Sequence, residues 1–431
     1  MTNARNESPP TSAELRDLLR RIRLGRLAAA QPINWPALAI IFSAVSFNYF
    51  LCFANTNIVH VSRLEVIGAE VLIISIAFAV ALPAISRTVF IIIGILFFYL
   101  MLLTIMRAVN GGPFDVKAVR DFMIPVVFFF LGARVKDAKS ADFIVKAITV
   151  VVVAAGLFEM FFLNTYLKYF DVINYYVVRG TVDVADTKYL ANNLFVSGIR
   201  PEGRTLFGFL GDHRISSLFL EPVSPGNYGV IVFFWALVRS RAEQKLYTGL
   251  FLMALLIIVM ADNRLGAGLC ILGLALAFVS VRYSYPVIVV LPFALIAMLL
   301  GMHSLFPHLA ITDSTLGRLV FSGGLLSSLN VFNWMGFEDL PGTQDSGYSA
   351  VFVEIGILGL TVLWGLFMSI KGRSSAFNYF RVLAGLYVSV SLCISYSLVT
   401  IKTAALLWFL VGVLAYAADE RPRLVNVRRL S

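Results

Sequence analysis

TVFIIIGILFFYLMLLTIM, residues 88–106, decides the fold. These 19 residues carry no charge and stand between Arg87 and Arg107. About 20 apolar residues rising 1.5 Å each cross the ~30 Å hydrocarbon core of a bilayer. The run is continuously apolar, whereas a barrel strand alternates, so it reads as a membrane helix.

Outward from this run, the same pattern recurs along the chain. Twelve segments read as spans: 35–53, 66–85, 88–106, 119–134, 143–163, 217–238, 246–261, 265–281, 285–302, 348–369, 382–398 and 403–417. Of the 431 residues, 59% are hydrophobic and 14% charged, and the mean hydropathy is +0.84. A soluble chain carries about a quarter charged residues. The sequence therefore predicts an all-α polytopic membrane protein of about 12 helices. A basic tail (1–34) precedes a single membrane domain (35–417), and a second basic tail (418–431) follows it.

Lys and Arg set the orientation. An inside N-terminus leaves 22 of the 35 basic residues on the inner side and 13 on the outer. Most inner loops are short, as the positive-inside rule requires. Both termini are then cytoplasmic, and two long outer loops, about 164–216 and 303–347, are periplasmic. The net charge of +10 is spread through these short loops, which speaks against nucleic acid as a partner. Arg16, Arg20, Arg21, Arg23 and Arg26 form either a helix lying on anionic lipid or a solvated tail. Tyr166, Tyr169, Phe170, Tyr175 and Tyr176 in the first long loop predict an ordered cap.

Three stretches carry possible chemistry. The first is Asp212-His213-Arg214 through Glu221-Pro222 to Pro225-Gly226. Arg214 and Glu221 are seven apart, which predicts one shared helix face. Pro222 and Pro225 predict a broken entry to that helix. A break at membrane depth belongs where the chain lines a cavity, and an acid there reads as functional or as half of a structural pair with Arg214. The second is Asp262-Asn263-Arg264-Leu265-Gly266, a tight outer hairpin. It puts Arg264 at a helix N-terminus, an end that already favours anions; the alternative is an interfacial snorkelling arginine. The third runs from Gly336 to Tyr348, with Asp345 at the outer mouth and Glu354 roughly 13 Å further along a helix. Asp345 also suits a turn or a cap, and Glu354 suits a packing acid. Upstream, Arg318 adds another outer cation.

The topology brings Arg200, Arg214, Glu221, Arg264, Arg318, Asp345 and Glu354 to one face. Arginines near acids fit a diphosphate-like ligand, because guanidinium binds phosphate oxygens in forked pairs. There is no P-loop and no dinucleotide-binding glycine pattern. No His/Cys spacing predicts a metal site, and the three cysteines, Cys52, Cys270 and Cys393, all lie in apolar runs. His60, His303 and His308 read as ordinary loop residues, while His213 gains weight beside Arg214.

These residues resemble the O-antigen polymerase and ligase superfamily. Arg214-x-x-Ser217-x-x-x-Glu221-Pro222 resembles its Arg-x-x-Ser-x-x-x-Glu-Pro pattern. Asn263-Arg264-Leu265-Gly266 is similar to its arginine turn. Asp345-Ser346-Gly347-Tyr348 with Glu354-x-Gly356 is similar to its large-loop signature. The resemblance covers the chain and is closest to polymerases of exopolysaccharide repeat units. It implies a GT-C-like bundle acting as a glycosyltransferase without metal or cofactor at the periplasmic face of the inner membrane. The substrates would be undecaprenyl-diphosphate-linked oligosaccharides, with membrane lipids around the bundle and flippase and chain-length or export proteins as neighbours. Ligases of the superfamily carry a catalytic-candidate His where this chain has Asp345, so that chemistry does not carry over. The resemblance then leaves Asp345, Glu221 or His213 as the base, Arg214 and Arg264 on the diphosphate with Arg318 and Arg200 in support, and Glu354 and Tyr348 supporting the loop.

Two rival readings remain. A ligase shares the site and differs in acceptor. A twelve-helix lipid-linked-sugar flippase shares the span number, but transporters place binding residues near the midplane of repeated halves. Here the polar residues gather at one face and no two-half repeat is visible.

Overall fold

The computed structural model describes residues 33–180, 182, 194–200, 203–307, 315–372, 374–396 and 399–417. The arginines of both tails, Lys188, Arg373 and His308 lie outside them. Among the described residues there is no β-strand, only one bridge between Ile199 and His213.

The helices are α1 (Trp35–Asn57), α2 (Arg63–Ala81), α3 (Arg87–Val109), α4 (Lys117–Val135), α5 (Ala138–Phe161), α6 (Leu163–Tyr169), α7 (Val172–Val178), α8 (Val223–Glu243), α9 (Thr248–Met260), α10 (Arg264–Ala277), α11 (Val281–Leu305), α12 (Thr315–Ser328), α13 (Val331–Met335), α14 (Gly347–Ser369), α15 (Ser375–Ser391) and α16 (Ile401–Tyr416). Six of them, α1, α2 with the short turn after it, α3, α5, α11 and α14, are long and apolar enough to cross a membrane. The protein is a helical membrane protein. A helix also lies over each of the other six apolar runs, among them the shorter α9, α10 and α16.

Local sequence sets the helix ends. Ser62 and Glu65 form a capping box at the start of α2, with the Ser62 amide donating to the Glu65 carboxylate at 2.5 Å. Lys136 ends α4 in the left-handed region (φ 56°), and the Asp137 carboxylate accepts from Ser140 N at 2.8 Å to start α5. The run expected at 382–398 is instead α15, seven residues earlier, because the Ser374 hydroxyl accepts from Phe377 N and fixes the start there.

α8 and α16 run through the interior, while much of α2, α3 and α11 is exposed. Among the described helices α4 packs most extensively against α16. A Cβ added at Gly132 or Gly412 would overlap the carbonyl oxygen of Phe409 or Phe129, so these backbones touch as small-residue membrane packing allows.

The entry to α8 departs from expectation. Arg214 to Ser216 is non-helical, Ser217–Phe219 is a 3₁₀ turn, and Leu220 is left-handed at φ 63°. The α-helix starts only at Val223. Arg214 and Glu221 therefore do not share a helix face. Pro222 offers no amide and biases Glu221 away from helix, so the regular spiral cannot form before it. Aromatic residues in the described part of 164–216 pack against one another and against α1. The Tyr166 and Phe170 rings stack at 4.8 Å, and the Tyr175 hydroxyl donates to the Asn48 side chain at 2.7 Å.

Candidate functional site

A cavity of about 830 Å³ opens among the ends of α2, α4, α7, α10, α12 and α16 and the broken entry to α8. Arg200, Arg214, Glu221, Arg264, Arg318 and Asp345 all line it. Among the described residues nine cationic side chains line the cavity against six carboxylates, so its field favours an anion.

The arginine wall is built on backbone carbonyls. Arg214 Nε donates to Ala261 O at 3.0 Å, and its Nη1 to Ser197 O at 3.2 Å. Those bonds aim a buried guanidinium at the cavity from the extended segment before α8. Arg264 is the first residue of α10, and the Asn263 side chain caps that helix by accepting from Gly266 N at 2.7 Å. Dipole and guanidinium thus add at one helix end. Arg200 meets Asp262 at 2.6 Å. Arg318 enters from α12.

The acids divide by their partners. Lys402 Nζ lies 3.1 Å from Glu221 Oε1, and Ser224 also donates to that carboxylate at 2.5 Å. Glu70 and Asp121 both face Arg120, and Asp121 also faces Lys117. Asp345, exposed in the 3₁₀ turn Thr343–Asp345, has no hydrogen bond or ion pair among the described residues. The cap of α14 is Ser346, so Asp345 is not the helix cap.

Three expected residues are turned elsewhere. His213 is not on the cavity wall; its Nε2 sits 3.1 Å from Glu159 Oε1. Tyr348 is buried behind the wall, donating to Ser389 O at 2.9 Å. Glu354 also lies behind it, paired with Lys117 at 3.2 Å and accepting from the Tyr396 hydroxyl. It steadies Lys117.

Two residues that the sequence reading did not single out hold the broken segment together. The Glu159 carboxylate accepts from the amides of Ser216 (2.9 Å) and Ser217 (2.6 Å), which the lost helix leaves without partners. Lys402, 5% exposed, donates to Phe219 O at 3.0 Å as well as to Glu221. The signal for both existed: each is an ionisable residue in or beside an apolar run, the usual mark of a functional or paired group. Tyr176, within 3.4 Å of Lys402, closes this corner. Burial and the Glu221 carboxylate push its phenol well above the ordinary value, so it stays neutral.

Among the described residues no group of three or more His, Cys, Asp and Glu side chains could hold a metal ion. The chain matches no known family, curated protein or solved structure.

Proposed function

We propose that this protein is a glycan polymerase of the inner membrane that joins undecaprenyl-diphosphate-linked oligosaccharide repeat units at its periplasmic face. The observation that carries the reading is the convergence of Arg200 and Arg214 from the loop before α8, Arg264 from α10 and Arg318 from α12 on one net-positive cavity that also holds Asp345, which has no ion-pair partner among the described residues. The distribution of Lys and Arg supports the topology proposed with it: twelve spans, both termini cytoplasmic, and this cavity at the periplasmic end.

In the proposed reaction an acceptor hydroxyl oxygen attacks the anomeric carbon of the donor sugar. The bond from that carbon to the diphosphate oxygen breaks, and undecaprenyl diphosphate leaves with the electron pair. Arg214 and Arg264 stabilise the growing negative charge, with Arg318 and Arg200 in support. Fixed guanidinium groups do this without reorganising as the bond breaks. Asp345, which has no ion-pair partner among the described residues, takes the hydroxyl proton. Glu221, held by Lys402, shapes the wall instead. No metal or cofactor is assigned a step.

Reconstituting the purified protein with lipid-linked repeat units tests the reading. Products lengthened by whole repeats support a polymerase. A change of sidedness without lengthening makes it a flippase, and transfer of finished chains to a different acceptor makes it a ligase.

A further inference from the structure

Residues 203–211 leave the cavity rim as a short projecting tip, and its base is fastened to one place. Arg204 is buried; it donates to the carbonyls of Val259 and Met260 (3.0 Å), the last two residues of α9, and to His213 O at 2.7 Å. Asp262, in the turn that follows α9, accepts from Leu206 N at 2.7 Å and Thr205 N at 3.3 Å. Leu206 is thus tied directly to the end of an apolar helix.

Beyond that anchor the chain reads Leu206-Phe207-Gly208-Phe209-Leu210, without a charge. Phe207 adopts φ 55°, a left-handed conformation that a bulky residue rarely takes. The turn sends both rings outward: Phe207 is 55% and Phe209 81% exposed, edge to face at 5.7 Å. A pair of bare aromatic rings in an uncharged loop is an apolar surface awaiting a cover.

We infer that this tip is an interfacial anchor, with Phe207 and Phe209 seated in the headgroup–acyl boundary of the outer leaflet. Its height decides the partner. α9 and α10 present exposed leucine and isoleucine side chains such as Leu252, Leu256, Ile271 and Leu272, so lipid surrounds them. The tip starts where α9 ends, which is the level of the membrane surface, and aromatic rings favour that layer. The anchor carries a consequence for the cavity. Arg200 and Arg214 lie on the two chain segments at the base of this tip, joined by the Arg200 N to Asp212 O and Arg214 N to Gly198 O bonds (3.1 and 2.8 Å). Seating the tip in lipid therefore fixes the height of the arginine wall above the membrane. The inference needs α9 and α10 to be membrane helices with this end at the surface; it stands or falls apart from glycosyl transfer.

The test uses the full chain in phosphatidylcholine–phosphatidylglycerol vesicles. Cys52, Cys270 and Cys393 are buried, so a fluorophore on Phe209→Cys reports that site, with Phe207→Cys as a second probe and the exposed Asp339→Cys as the water reference. Nitroxide lipids should quench the probe at 209 or 207 strongly, and aqueous iodide should quench it several-fold less than at 339. Iodide quenching equal to that at 339 at both positions overturns the anchor. Shielding from both quenchers overturns it too, since protein would then cover the rings.

Discussion

Replacing Arg107 by methionine isolates one unusual feature of the fold. α14 is interrupted at Gly356, which sits at φ 67°. The interruption takes away the amides that would have bonded the carbonyls just before it. α3 supplies substitutes. Arg107 Nη1 donates to Val353 O and Glu354 O, both at 2.8 Å, and the Tyr99 hydroxyl donates to Ile355 O at 2.7 Å. Arg107 is 6% exposed. Methionine fills similar volume and leaves one buried and one half-buried carbonyl unbonded, at about 1–3 kcal/mol each. Relief from burying a guanidinium offsets part of that, so the net loss should be about 2–4 kcal/mol. Arg107→Lys should fall between, because an ammonium lacks the planar fork. Trp334 stacks on Phe352 at 4.4 Å beside the interruption, so denaturant titration in micelles followed by tryptophan fluorescence reads the change. An Arg107→Met protein within about 0.5 kcal/mol of the parent, the usual range for an inert surface change, would refute the capping role.

Other substitutions have clear expected outcomes. Gly412→Ala should lower thermal stability sharply, because its Cβ meets the Phe129 backbone; Gly385→Ala, whose Cβ meets side-chain methyl groups of Ile288 and Met368 (2.5 and 2.7 Å) and no backbone atom, should cost less in the same melt. Lys402→Met should cost about 1–3 kcal/mol by removing the hydrogen bonds that Lys402 gives to Phe219 O and to the half-buried Glu221 carboxylate. Adding Glu221→Gln to it should restore much of that loss in a denaturation double-mutant cycle; additive losses would contradict the pair. Asp345→Asn should abolish polymer formation in the reconstituted assay with an unchanged melting curve, since the side chain makes no described contact.

Much of the fold is legible in the sequence because membrane helices are written as continuous apolar runs. Residues 88–106 lie inside α3, and 119–134 inside α4 despite Pro125 within it. The arginines were legible for a different reason. Topology alone brings Arg200, Arg214, Arg264 and Arg318 to one face, and the cavity gathers them. What failed was helical spacing between Arg214 and Glu221, since a seven-residue repeat presumes a helix that Pro222 forbids. Side-chain partners were also hidden. Nothing near Glu221 in sequence announces Lys402, 181 positions away, and nothing near His213 announces Glu159. Such pairs are set by packing between distant helices, for which a single sequence carries no local pattern.

The most direct measurement is the affinity of purified protein for undecaprenyl diphosphate, compared among the parent, Arg214→Ala, Arg264→Ala and Arg264→Lys. Removing a guanidinium from a charge-assisted contact costs about 1.5–3 kcal/mol, so each alanine variant should bind roughly 10- to 100-fold more weakly. The lysine variant should remain weaker than the parent. Equal affinity across the parent and both alanine variants would contradict the claim that these arginines hold a lipid diphosphate in this cavity.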